Sequence, residues 1–355
     1  MIKKIGVLGL GKVGSLVASL LQEKYEVEGM DQSQPLEDLN LPVITGDVTN
    51  TSQLKEFLKD KDAVVSCLPY FLNIKIAETA VAIGIHYFDL TEDVPTLHAI
   101  QKMAENSTSI LAPQCGLAPG FIGILGAGLY NQFDTIRSVK LRVGALPLHP
   151  MGQLGYSFTW SAEGVINEYI NDAEVIHNGE RKMLASLDDV EILNINGRQY
   201  EAFLTSGGLG TMCETLDGKV DTLNYKTIRY PGHRDAMKLL LYDLLLKDNR
   251  KLAKDILNNA LPIVDEDIVL VYAAVEGEIQ GRLYRKEFSE SYGKIAINGQ
   301  DWRAISWTTA CSISAVVDLV SNGKLAQKGF LKQEEIPFEV FINSHYGSMY
   351  EKYKL

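Results

Sequence analysis

The chain has 355 residues, 46% of them hydrophobic and 22% charged, with a formal net charge of −11. This is the balance of a packed globular protein long enough for two or three domains, and its acidity excludes a general nucleic-acid surface, which needs clustered Lys and Arg. Cys67, Cys115, Cys213 and Cys311 lie far apart with no CxxC or Cys/His spacing, so no metal site and no disulfide framework is expected, and the thiols read as those of a reduced, cytoplasmic protein.

In chain order, "MIKKIGVLGLGKVGSLVASLL" mimics a signal peptide, two lysines before an apolar run. Gly6, Gly9, Gly11, Gly14 and Lys12 interrupt that run and suit a strand, a turn and a helix start instead. Elsewhere the longest apolar run singled out, "FIGILGAGLY" at 121–130, is about half the ~20 residues of a membrane span, and no membrane association is expected. From 1 to about 118, short apolar runs alternate with helical patterns ("KIGVLGL", "EVEGMD", "LPVITGD", "DAVVSCLP", "HYFDL" and "TSILAPQC" among the strands), which predicts a parallel sheet covered by helices. After "GLAPG" the texture changes to longer alternating strands, "RSVKLRVGAL", "YSFTWS", "DIVLVYAAVEGEI" and "GRLYRKEFSES", which suggests a mixed or antiparallel sheet in a second domain. "WTTACSISAVVDLVSNGKL" at 307–325 reads as a long apolar helix ending at Asn322-Gly323 and folding back onto the first domain. The expected division is 1–118, 119–305 and 306–355, an α/β fold.

The first turn carries the nucleotide signal. Gly9, Gly11 and Gly14 have the GxGxxG spacing between a strand and a helix: the first glycine permits the tight turn, the second a close pyrophosphate, the third close helix packing, and the helix start offers amides to phosphate. Leu10, Lys12 and Val13 complete that turn. The second strand ends in Asp31, placed to accept both ribose hydroxyls and to repel a 2′-phosphate, so NAD is expected over NADP. Asp47 and Val48 are candidates to flank the adenine, with Thr49 as an alternative cap for the next helix. Ser66, Cys67 and Leu68 end the fourth strand beside the nicotinamide ribose.

In an open α/β sheet ligands bind beyond the carboxyl ends of the strands, which selects Tyr70, the stretch with Asp89, and "QCGLAPG" with Cys115 and Gly116. A substrate pocket between the domains follows as an expectation. Asp89 attracts a substrate ammonium or caps the next helix, and Cys115 reads as a packed small residue, because hydride transfer needs no covalent intermediate.

The motifs "GLGKVG", "CLPY", "CGLAPGFIGIL", "VGALPLHPMGQLGYSFTWSAEGVINEY", "YEAFLTSGGLGTM" and "LNYKTIRYPGH" carry a resemblance over nearly the full length to the saccharopine dehydrogenase superfamily, most closely to its L-lysine 6-dehydrogenases. The resemblance implies a Rossmann domain, a second α+β domain whose mixed sheet forms a homodimer interface, and a C-terminal helix returning to the Rossmann domain. It also implies a small-molecule amino-acid substrate held through its carboxylate by an arginine, here Arg229, with Tyr70 as the tyrosine of "CLPY". Saccharopine reductases carry an aspartate in "GLDPG"; Ala118 stands at that position, as in the lysine 6-dehydrogenase pattern, while "LGYSFTWSAEGV" is also similar to the reductases.

With lysine as substrate, the neutral ε-amine loses hydride from its adjacent carbon, and water hydrolyses the imine to the semialdehyde. That requires a carboxylate clamp, a neutral amine and a base for water. Arg229 suits the clamp through two parallel hydrogen bonds, unless one of the acids pairs it. His233 is either a proton acceptor or the residue that ends a Pro-Gly turn. Lys226 either orients a ligand or is a solvated charge. Tyr156 and Glu163 can meet the amine, Glu163 equally being a helix-dipole partner. Competing substrates are saccharopine and carboxylated polyamines, and a non-catalytic NAD-binding metabolite sensor is the alternative outside enzymes.

Overall fold

The computed structural model describes residues 2–35, 39–158, 160–261 and 264–355. The chain divides into two compact units, one of 1–121 with 306–352 and one of 122–305 with 353–355.

The first unit opens with β1 (Lys4–Leu8), α1 (Lys12–Leu21), β2 (Glu26–Asp31), β3 (Val43–Thr45), α2 (Thr51–Leu58), β4 (Ala63–Ser66), α3 (Asn73–Ile83), β5 (His86–Asp89), α4 (Val94–Ala104) and β6 (Ile110–Ala112). β1 pairs in parallel with β2 (Ile5 opposite Val27) and with β4 (Ile5 opposite Ala63). Ala63, Val64, Val65 and Ser66 are all buried, as expected of a strand covered on both faces. Local chemistry sets the helix starts: Asn50 Oδ1 accepts from the N–H groups of Ser52 and Gln53 to cap α2, and Asp93 caps α4 through the N–H of Thr96, with Pro95 in the first turn. Thr49, weighed as the α2 cap, instead donates its N–H to Asp47 Oδ1 at 2.8 Å.

The second unit follows with α5 (Phe121–Tyr130), β7 (Thr135–Pro147), α6 (Ala162–Ile170), β8 (Ala173–His177), β9 (Glu180–Leu184), β10 (Glu191–Ile195), β11 (Arg198–Leu204), α7 (Met212–Thr215), β12 (Thr222–Arg229), α8 (His233–Lys238), α9 (Arg250–Ala260), β13 (Asp267–Ile279), β14 (Arg282–Tyr292), β15 (Ile295–Ile297) and β16 (Gln300–Trp302). Its main sheet has the order β10-β11-β12-β7-β13-β14 and is mixed, since β12 and β7 are parallel and the other neighbours on this path antiparallel. Tyr169, Phe203, Ile228, Tyr230 and Leu270 belong to its buried core. "YSFTWS" does not form a strand among its described residues. Gly155 turns the chain at φ +52°, and Tyr156 packs edge-on against Phe158, so the alternation there reflects packing rather than a pleat.

α10 (Ala304–Ser321) and β17 (Gly329–Phe330) then lead into α11 (Phe338–Ile342) and α12 (Met349–Lys352). From Ser306 this segment belongs to the first unit, where β17 joins β6 in parallel and completes the seven-stranded order β17-β6-β5-β4-β1-β2-β3. α10 is apolar and long enough to cross a bilayer, but it is buried within the protein. Asp318 on α10 accepts from Lys24 Nζ and Tyr25 Oη beyond the end of α1, and Tyr346 donates to the carbonyl of Leu20 at 2.9 Å.

Candidate active site

In the first unit, β1 runs into Gly9 at φ +84°, and α1 starts after Gly11 with no side-chain cap. A Cβ on Gly14 would lie 1.8 Å from the Gly9 carbonyl oxygen, whereas one on Gly11 would meet nothing within 4 Å. The helix therefore packs against the turn only because Gly14 is a glycine, and the Gly11 backbone presents an open side. Asp31 ends β2 next to this turn: Oδ2 accepts from the Leu10 N–H at 2.6 Å and Oδ1 from the Ser33 N–H at 3.0 Å. An open glycine backbone, an uncapped helix start and an acid at the end of the second strand fit a nicotinamide dinucleotide.

Cys67 and Leu68 border the same turn, the Leu68 side chain and Cys67 carbonyl lying 2.8 and 3.1 Å from where a Gly9 Cβ would stand. Asp47 is held beside Asp31, because the Gly46 N–H donates to the Asp31 carbonyl at 2.8 Å and Gln32 Nε2 to Asp47 Oδ1 at 3.3 Å. Val48 is buried in the core instead of flanking open space. Ser66 is buried too, with its hydroxyl 2.7 Å from Asn73 Oδ1. Gly116 lies in a loop closed on itself, where the Phe121 N–H donates to its carbonyl at 2.9 Å. Tyr70 is half-buried and opens a single 3₁₀ turn after β4.

Asp89 departs from the expected carboxylate facing a crevice. It is fully buried: Oδ2 accepts from Tyr87 Oη at 2.6 Å, and Oδ1 from the N–H groups of Thr91 and Gln114 at 2.9 Å each. Burial pushes its pKa up to about 6 against the pull of these hydrogen bonds. The carboxyl ties β5 to the loop after β6. Three residues on, Glu92 is also buried, and desolvation together with Asp93 and Asp89 raises it to about 7. Cys115 is packed, with Gln333 Nε2 3.3 Å from its Sγ.

In the second unit, Arg229 ends β12 with its guanidinium buried. Nε donates to Tyr169 Oη and Nη1 to the Ile228 carbonyl, both at 2.9 Å. The Tyr156 ring lies 4.7 Å from Cζ, so the tyrosine expected to meet a substrate amine faces a cation of the protein itself. Among the described residues no carboxylate lies within 4 Å of Arg229. Burial works against its charge, but Tyr169, Tyr156 and the Glu168 carboxylate outweigh that and raise its pKa.

His233 starts α8 and is also buried. Its Nδ1 is 2.9 Å from the Leu154 carbonyl and its Nε2 3.1 Å from Tyr169 Oη. A carbonyl only accepts, so Nδ1 carries the hydrogen and Nε2 accepts from Tyr169. Tyr169 thus accepts from Arg229 and donates to His233, a directed chain of hydrogen bonds. Burial, then the Arg229 charge, lowers the His233 pKa to about 3 against the Leu154 hydrogen bond. The expectation of His233 as a proton acceptor for amine or water is corrected accordingly: it is a neutral acceptor that orients Tyr169.

Lys226 is buried and paired, with Nζ 3.0 Å from Asp189 and 3.4 Å from Glu191. It is neither solvated nor open to a ligand. Glu163 lies in the first turn of α6, where Ser161 Oγ caps the N–H of Gly164, the dipole arrangement weighed for it. Sequence reasoning passed over Glu92, Glu168 and Tyr169. Tyr169 extends the apolar spacing Ala162, Val165, Ile166 along α6, and so reads as core; the charged Glu168 beside that stripe was the legible signal.

The pattern defining the Saccharopine dehydrogenase NADP binding domain matches residues 5–111, and that of the Saccharopine dehydrogenase C-terminal domain matches 116–349. The rat mitochondrial alpha-aminoadipic semialdehyde synthase is 25% identical over 256 residues, 66% of this chain and 27% of the rat protein. The Saccharomyces cerevisiae saccharopine dehydrogenase [NADP(+), L-glutamate-forming] is 23% identical over 58% of this chain and 48% of its own length. The chain therefore spans only a quarter to a half of these relatives. Among solved structures, the apo L-Glu-forming saccharopine dehydrogenase from S. cerevisiae covers 99% of both chains with TM-score 0.79 at 16% identity. The Legionella pneumophila homospermidine synthase, solved with NAD, covers 98% of this chain and 89% of its own with TM-score 0.68 at 14% identity. With both of its domain patterns present in order, the chain belongs to the saccharopine dehydrogenase family.

Proposed function

We propose that this protein is a nicotinamide-dependent amino-acid dehydrogenase that oxidises the ε-amine of L-lysine to the 6-semialdehyde, with Arg229 anchoring the α-carboxylate. The observation that carries this reading is a buried, charged guanidinium with no acid within 4 Å among the described residues. Buried charges need a partner, and here a ligand carboxylate supplies it. A guanidinium has five N–H groups; Nε and one hydrogen of Nη1 are used internally, which leaves enough for a two-pronged bond to carboxylate. His233 stays neutral and so adds no second positive charge beside Arg229. Tyr169, fixed between Arg229 and His233, holds the guanidinium plane in orientation.

The dinucleotide, when bound, accepts the hydride. For its form, Asp31 favours NAD because its carboxylate would repel a 2′-phosphate, whereas the matching family domain is named for NADP. Saccharopine is the second reading, favoured by the names of the curated relatives; Ala118 in "GLAPG" stands against it, and carboxylated polyamines are a third candidate. The test is absorbance of the reduced cofactor with L-lysine, saccharopine and a carboxylated polyamine, each with NAD and NADP. Turnover of saccharopine with NADP in preference to lysine with NAD would sink the lysine reading. Dinucleotide binding without turnover of any substrate would favour a metabolite sensor. Arg229→Ala should lower kcat/KM about 10- to 100-fold, the equivalent of one charged hydrogen-bonded contact, and leave dinucleotide affinity unchanged.

A further inference from the structure

Arg229, Tyr169, His233 and Tyr156 are 3%, 0%, 1% and 2% exposed, so a carboxylate can reach the guanidinium only after part of this enclosure moves. Arg229 ends β12, Tyr169 lies on α6 and His233 starts α8. Tyr156 alone of the four comes from irregular chain, the segment 148–158 between β7 and α6. The start of that segment is pinned, since the Leu148 N–H donates to the Glu266 carbonyl at 3.2 Å and Tyr230 Oη to the Pro147 carbonyl at 2.8 Å. Past its other end, Ser161 caps α6. Between these anchors the backbone is left-handed at two glycines, Gly152 at φ +66° and Gly155 at φ +52°, and Met151 is 59% exposed. The later half then folds inward. The Leu154 carbonyl accepts from His233 Nδ1 at 2.9 Å, and the Tyr156 ring lies 4.7 Å from Arg229 Cζ and 5.1 Å from the His233 ring.

We propose that 148–158 is a strap latched over Arg229 by His233 and Tyr156, which opens to admit a carboxylate and is held shut by it once bound. The coupling follows from charge. A buried cation without a counter-ion is penalised for its lost hydration, and opening the strap returns water to the guanidinium. A carboxylate on Arg229 removes that penalty, and with it the drive to open. The ligand therefore binds the shut form more tightly than the open one, which is the condition for shifting a conformational equilibrium. The latch is independent of substrate identity; its response to a ligand rests on the Arg229 assignment above.

Amide hydrogen exchange read by mass spectrometry on the full-length protein separates failure of the strap from failure of the lysine reading. Without ligand, the peptide 150–158 should exchange faster than those of β12 and α6, through local rather than global opening. Gly152→Ala tests the strap away from Arg229: a Cβ there meets nothing within 4 Å, so the change acts through the left-handed backbone alone. It should speed exchange of 150–158 about 5- to 30-fold and leave β12 and α6 unchanged. Tyr156→Leu, which stays apolar but takes the ring off Arg229, should also speed exchange of 150–158 selectively. L-lysine with the reduced cofactor, which forbids turnover, should slow exchange of this peptide about 10-fold or more in wild type and not in Arg229→Ala. Exchange of 150–158 at the rate of β12 and α6, or acceleration of all three together in the two strap variants, overturns the proposal. Slowing by saccharopine or a carboxylated polyamine but not by L-lysine supports the strap and removes lysine alone. Slowing by none of the three overturns the ligand-held closure.

Discussion

At His233 the imidazole is held neutral by burial and by Arg229, and this has a sign that can be measured. Its folded pKa of about 3 lies below the ordinary value, so the unfolded chain binds the extra proton and stability falls as pH drops below about 6.5. Comparing urea unfolding of wild type and His233→Gln between pH 7 and 5, wild type should lose about 2 kcal/mol more than the variant, at about 1.4 kcal/mol per pKa unit. Glu92 behaves oppositely. Its folded pKa of about 7 lies above the ordinary carboxyl value, so the folded state binds the extra proton and stability falls as pH rises from about 4.5 to 7. Glu92→Gln should therefore gain on wild type over that interval, by about 2 to 3 kcal/mol. A difference that does not vary with pH, in either variant, would contradict the pKa assigned to that residue.

The strand-turn-helix from β1 to α1 separates two functions of glycine that the spacing alone cannot distinguish. Gly14 is a packing glycine and Gly11 an open one. Gly14→Ala should cost at least the 1–3 kcal/mol typical of overpacking and weaken dinucleotide binding with it. Gly11→Ala should leave the melting temperature within a degree or two, because its methyl meets nothing within 4 Å, while weakening dinucleotide binding if the glycine turn takes the pyrophosphate as the GxGxxG spacing leads one to expect. Equal effects on stability in both variants would refute this division. The turn was legible because a backbone constraint is written locally, three glycines and an acid within one βαβ unit. "YSFTWS" was not, because its alternation records Tyr156 packing on Arg229 and against Phe158, contacts that a periodicity of two imitates. The Arg229, Tyr169, His233 chain joins β12, α6 and α8, with Tyr169 about 60 residues before Arg229. No local pattern encodes that proximity, although the sequence did single out both of its other members.

At the scale of the molecule, the first unit is discontinuous. Residues 1–121 alone would lack β17 beside β6, the Lys24 and Tyr25 contacts to Asp318, the Tyr346 bond to Leu20, and the stack of Phe121 on Tyr350 at 3.8 Å between centroids. A fragment of 1–121 should accordingly show poor amide dispersion by NMR and no dinucleotide-induced rise in melting temperature, while the full chain shows both dispersion and the rise. An independently folded, ligand-stabilised fragment would refute that dependence. Strand texture in the sequence marked both sheets, but the parallel pairing of a two-residue strand with β6 depends on a contact far along the chain, beyond the reach of composition or period. β17 also imposes an order of events during synthesis. A ribosome adding about 5–20 residues per second emits β6 early and reaches Gly329 only after roughly 200 further residues, so for about 10–40 seconds the β6 edge stays open on a nascent chain. Translation pauses in the stretch encoding the second unit would lengthen that interval, and soluble yield should then respond to codon choice there more than to codon choice within β1 to β6.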